Sequence, residues 1–120
     1  MPSAGRMTSL ARYQALPRED AMEEAIRELT EGYRGGKVFH IRNSSKAPEM
    51  EGFPDLVIIS PPWLAIVELK SQEREVTVGQ RRVLTLLEGV TRLHTGIVRP
   101  EPHPGETGYA EFLELLKETG

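Results

Sequence analysis

The chain has no cysteine. Disulfides, zinc–thiolate sites and thiol nucleophiles are therefore excluded, and an intracellular, cytoplasmic protein is expected. No apolar run approaches the length of a membrane span. The opening Met1-Pro2-Ser3-Ala4-Gly5-Arg6 has no apolar stretch behind it, so neither a signal peptide nor a membrane partner is expected. A Gly-x-Ser-x-Gly nucleophile elbow is missing. So is a phosphate-cradling glycine loop, which speaks against ATP use. Positive charge is also in short supply, with a net charge of −3. A protein that coats nucleic acid by charge alone would be basic. An enzyme whose bound metal and local basic residues supply the positive potential is still allowed.

What is present suits one domain. The chain has 120 residues, 38% of them apolar and 28% charged. A chain of this size buries roughly two-thirds of its unfolded surface and can fold alone. Residues 1–16 read as a flexible N-terminal arm and 17–120 as a single domain. Pro17 suits the first position of a helix, and Glu19 and Asp20 suit its dipole. Met22, Ala25, Ile26, Leu29 and Tyr33 recur at helical spacing. The first helix is expected over about 17–33, ending near Gly35-Gly36. Residues 37–42 read as a strand, 43–54 as a loop, 55–60 as a strand, and 63–70 as a further strand after Pro61-Pro62. The last two are apolar on both faces, so helices should cover the sheet on both sides. A second helix is expected over about 77–93, with Val83, Leu86, Leu87 and Val90 inward. Residues 95–99 form a weaker strand, 100–108 a loop, and 109–117 a terminal helix. Its Phe112, Leu113, Leu115 and Leu116 suit either a homodimer face or its own core. The order is helix, three strands, helix, strand, helix: an α/β layout around one small mixed sheet.

The chemistry gathers around Pro61-Pro62. A short turn there pairs the flanking strands antiparallel. If it is centred on the prolines, Ser60 faces Trp63 and Asp55 faces Glu68. Cross-strand partners lie roughly 5 Å apart at Cβ. Lys70, two residues beyond Glu68, projects from the same face. Two facing carboxylates repel. Lys70 offsets part of this, and a hard cation such as Mg²⁺ offsets more, since it favours one or two carboxylates with water and phosphate oxygens. Such an ion can polarise a phosphodiester and activate water, and Lys70 could orient that water. A surface ion pair at a sheet edge is the plainer reading, but it explains one carboxylate better than three charges on one face.

Gly52-Phe53-Pro54-Asp55 followed by Val67-Glu68-Leu69-Lys70 resembles the PD-(D/E)xK nuclease superfamily. The resemblance covers about residues 18–99. It is greatest to the small virus-type replication-repair nuclease (VRR-NUC) modules and Holliday-junction-resolvase-like nucleases, which share Gly-x-Pro-Asp and a Thr-x-x-Gln matched here by Thr77-Val78-Gly79-Gln80. It implies a restriction-endonuclease-like core, with Mg²⁺ or Mn²⁺ held by Asp55, Glu68 and the Leu69 carbonyl, and Lys70 assisting the water. It also implies a glutamate on the first helix as a further catalytic and metal-binding residue. Glu19 fits best and Glu23 is the reserve, while Glu24, Glu28 and Glu31 should face water. Glu19 is equally readable as a first-turn acid; Gln80 is readable as half of a capping box, but it lies beside the apolar stripe of its helix and the family pattern shares it, so it is taken as a catalytic-site residue.

Weaker signals remain. His40 on its strand is read as structural. His94 and His103 lack metal-ligand spacing. Lys46, Arg81, Arg82 and Arg99 could line a phosphate track, but Arg42 and Arg74, nearest the site in sequence, are the expected DNA contacts. The expected function is a metal-dependent DNA endonuclease, on branched or otherwise structured DNA because so small a core has little surface for reading sequence. The alternative is a non-catalytic DNA-binding or assembly module with a nuclease-like fold.

Overall fold

A computed structural model describes residues 16–41 and 48–118. The expected N-terminal arm falls almost wholly outside those residues, and so do Arg42 and Lys46. The elements run α1 (Glu19–Arg27, continued by a π-helical turn Glu28–Tyr33), β1 (Lys37–His40), a 3₁₀ turn (Pro48–Met50), β2 (Leu56–Ser60), β3 (Trp63–Leu69), α2 (Val78–Glu88), β4 (His94–Arg99), β5 (Thr107–Gly108) and α3 (Tyr109–Glu118). The strands form one sheet in chain order. β1, β2 and β3 are an antiparallel meander, and β4 and β5 continue it in parallel. The chain is thus an α/β fold of three helices and a mixed five-stranded sheet. No described helix is long and apolar enough to cross a membrane.

Period-two alternation builds the core. Leu56 and Ile58 of β2 and Trp63, Ala65, Val67 and Leu69 of β3 share one face. They pack with Met22 and Ile26 of α1 and with Phe112 and Leu116 of α3. The C-terminal helix therefore spends its apolar face on its own core. On the opposite face α2 returns the chain from β3 to β4, the crossover a parallel pair requires. Leu84 and Ile97 are buried there. Cover on this side is incomplete, and Phe39, Ile59 and Leu64 remain part exposed.

Several expectations are corrected. The inward residue of α2 is Leu84, 1% exposed, whereas Leu86 and Val90 are 72% and 52% exposed; Val83 and Leu87 are half-buried. The helix also stops at Glu88 rather than near 93. Tyr33 is not inward but 81% exposed, and Thr30 is buried in its place. An i→i+5 turn carries each residue through a smaller angle than an α-turn, so the inward phase falls on Thr30. Glu24 and Glu28 face solvent as expected, but Glu31 does not stand free. Its Oε2 accepts the Val38 N–H at 3.0 Å, while Arg27 Nη1 donates to the Val38 carbonyl at 2.8 Å. The two side chains occupy the outward backbone groups of edge strand β1, where another chain could otherwise pair. That N–H holds the Glu31 carboxyl below its usual range. The 100–108 loop contains β5, too short for any alternation to announce.

Buried and exposed apolar positions should separate on truncation. Ile58→Ala should cost about 2–5 kcal/mol through lost transfer and a cavity, and Leu86→Ala about 0.5 kcal/mol or less. Urea unfolding measures both; a large loss at Leu86 would contradict the packing described.

Candidate active site

The turn at Pro61-Pro62, whose peptide is cis, sets the register. Ser60 pairs with Trp63, and the ladder runs to Leu56 with Val67. One step further brings Asp55 against Glu68. The two exchange contacts across the strand ends. The Asp55 N–H donates to Glu68 Oε1 at 3.2 Å, and the Leu69 N–H donates to Asp55 Oδ1 at 3.2 Å. Lys70 projects from the same face, its Nζ 3.7 Å from Glu68 Oε2. The Lys70 N–H donates to the Val98 carbonyl at 3.0 Å, extending the β3–β4 ladder past the strand end. Glu68 and Lys70 are 6% and 2% exposed.

Gln80 bonds both to its own helix start and to Glu68. Its N–H donates to Thr77 Oγ1 and its Oε1 accepts the Thr77 N–H, a complete capping box. The same amide donates from Nε2 to Glu68 Oε2 at 3.3 Å. The cap thereby fixes the amide that holds the carboxyl.

Burial raises the pKa of both Asp55 and Glu68. Glu68 rises to about 8, pushed further by its contact with Asp55 and by that carboxylate's charge, with Lys70 pulling the other way. Asp55 is held down in part by its bonds to Glu68 and to backbone N–H groups. Glu68 therefore keeps a proton at neutral pH because one ammonium is too little positive charge for two desolvated carboxylates. This is the imbalance a hard divalent cation relieves, and a pair of carboxylates suits Mg²⁺. Leu69, the implied carbonyl ligand, lies between Glu68 and Lys70 in the chain. No group of three or more Asp, Glu, His or Cys residues converges as a metal cage among the described residues. An ion on this pair would keep water or phosphate oxygens among its ligands.

Glu19 sits at the rim. Its Oε2 accepts the Ser71 N–H at 3.0 Å and meets Arg74 Nη1 at 3.5 Å. Its charge contributes to raising Asp55. Glu19 thus grips the residue after Lys70. Glu23 is engaged elsewhere, with His40 Nδ1 at 2.5 Å and Arg27 at 3.0 Å. His40 is thereby tied to α1 through Glu23. Arg74 is exposed beside the site, and a cleft of about 630 Å³ lined by Glu19, Ser71 and Gln72 adjoins it.

Two contacts at the site were not foreseen from the sequence. Gly52 has φ +82°, and a Cβ on it would lie 2.4 Å from the Gly79 carbonyl oxygen. Backbone touches backbone there, so Asp55 and Gln80 are held within a few residues of one contact. Arg99 is buried rather than lining a phosphate track. It donates to the carbonyls of Ser71 at 3.0 Å and Arg74 at 2.6 Å, and pairs with Glu106 at 2.5 Å. The turn after Lys70 is therefore clamped from beneath. A glycine followed closely by Pro-Asp was a visible signal for the first; Glu106 sits in an irregular loop and gave none.

Compared with protein-family models, curated proteins and solved structures, the chain has no significant match.

Two outcomes are expected. Gly52→Ala should unfold or strongly destabilise the chain, whereas Gly79→Ala, whose Cβ meets nothing closer than 3.8 Å, should fold; circular dichroism and thermal melting distinguish them. The metal-free protein should also lose stability as pH rises. Glu68 binds its proton up to about 8 when folded but only to about 4.5 when unfolded, so the folded state holds the extra proton across that window and stability falls through it. Mg²⁺ should restore more stability at the upper end than at the lower. Glu68→Gln should flatten the profile of melting temperature against pH, and an unchanged slope in that variant would refute the assignment.

Proposed function

We propose that the chain is a divalent-metal-dependent deoxyribonuclease that hydrolyses phosphodiester bonds. One observation carries this reading: Asp55, Glu68 and Lys70 share one buried corner at the end of the β2–β3 hairpin, with the acids in excess of the base. The order α1, antiparallel β1–β3, α2 and parallel β4 supports a restriction-endonuclease-like core. The resemblance to PD-(D/E)xK nucleases favours DNA over RNA, and the small size of the core favours branched or structured DNA. Pairing through the C-terminal helix is not part of the reading, because Phe112 and Leu116 are inside the core.

Bound Mg²⁺ or Mn²⁺ supplies Lewis-acid polarisation of the scissile phosphate and neutralises its developing charge. Asp55, Glu68 and the Leu69 carbonyl would hold that ion. Gln80 fixes the rotamer of Glu68 through its Nε2 bond. Lys70 Nζ, a donor with no acceptor capacity, orients the attacking water and steadies negative charge as the P–O bond breaks. Glu19 acts one step back, holding Ser71 so that the preceding ammonium keeps its place.

Supercoiled plasmid, single strands and a four-way junction, each with Mg²⁺, Mn²⁺ or chelator, test the reading. Cleavage should need the metal and should fall about 100-fold or more in Lys70→Ala. Asp55→Ala should lose metal affinity by calorimetry and keep its fold. Binding of every substrate with no cleavage under any metal would instead identify a non-catalytic DNA-binding module.

A further inference from the structure

We propose that the cavity beside the start of α2, lined by Arg81 and Arg82, seats the sugar–phosphate backbone of DNA to one side of the cut. The choice of DNA as occupant rests on the nuclease reading; the seat itself stands on its own geometry. The cavity holds about 500 Å³ between Glu75–Val78, the two arginines and His103. Its floor is Arg99 with Glu106, which neutralise each other. Against the one exposed carboxylate of Glu75 stand two exposed guanidinium groups.

Among the described residues, Arg27, Lys37, Lys70, Arg74, Arg99 and Lys117 each face a carboxylate. Arg81 and Arg82 face none among the described residues. Two arginines without an ion-pair partner on the wall of a concavity attract a polyanion, and guanidinium binds phosphate through paired donors.

Position relative to the carboxylates completes the case. Successive helix residues diverge by roughly 100°. Gln80 turns to Glu68, so Arg81 turns to the cavity next door. Arg99 reaches from this cavity to the Ser71 carbonyl, and Ser71 also lines the cleft at Glu19. The cleft and the cavity therefore lie back to back across the 71–76 connection, with exposed Arg74 on that connection. A strand with its scissile phosphate at Asp55 and Glu68 would then run on towards Arg81 and Arg82, which directly follow Gln80 in the chain.

Fluorescence anisotropy of the full chain with a labelled DNA duplex, in chelator so that nothing is cut, tests the seat across a salt series. Arg81→Ala/Arg82→Ala should weaken binding and lower the slope of log affinity against log salt by about two, since each phosphate contact contributes about 0.9. Lys117→Ala, on the far face, should change neither. Wild-type affinity and slope in the double variant would overturn the proposal, as would a wild-type protein that does not bind DNA. Tighter binding of the matching RNA duplex would overturn DNA as the occupant. Because no cleavage is measured, a protein that binds through these arginines yet cuts nothing leaves the seat standing and removes the nuclease.

Discussion

Two carboxylates facing each other across adjacent strands, largely out of water, are the constraint on which the rest depends. Left alone, Asp55 and Glu68 repel, and burial magnifies the repulsion. The fold answers with one ammonium, one amide, two backbone N–H donors and a retained proton. None of these fully replaces a divalent cation. The site is thus held ready for positive charge by the scaffold around it.

That scaffold is built to resist relaxation. α1 and α3 fill one face of the sheet, and α2 crosses the other. Gly52 against Gly79 ties the loop before Asp55 to the helix carrying Gln80. Arg99 and Glu106 pin the turn after Lys70. Removing one partner of a buried pair of this kind costs about 3–5 kcal/mol, because the other charge is left stranded. An exposed pair such as Lys117 with Glu114 contributes about 1 kcal/mol or less. The buried pair is therefore the one that decides whether the turn keeps its shape.

The hairpin was legible because local chemistry dictates it. Two β-rich runs around Pro61-Pro62 leave one centre of pairing, and a period of two then places Asp55, Glu68 and Lys70 on one face. The face of α2 was not legible. Its most apolar arc holds Val83, Leu86, Leu87 and Val90, yet the helix is rotated by contacts made at its start. Gln80 must reach Glu68, and Leu84, one turn on, follows it inward. Glu31 looked like a solvent residue because its partner, the Val38 N–H, belongs to a strand edge. Tyr33 looked inward because nothing in residues 28–33 announces a π-turn.

By itself the chain determined the α/β layout, the strand register and the identity of the charged triad, since each follows from periodicity or from spacing about a single turn. Tertiary structure decided which side of α2 is buried, that Glu19 grips Ser71 while Glu23 serves β1, and that Arg99 supports the site from within while Arg81 and Arg82 stay open to solvent. Those outcomes depend on distances between segments far apart in the chain. A cation's meaning is set by whether a carboxylate lies within reach, and neighbours of that kind are supplied by folding.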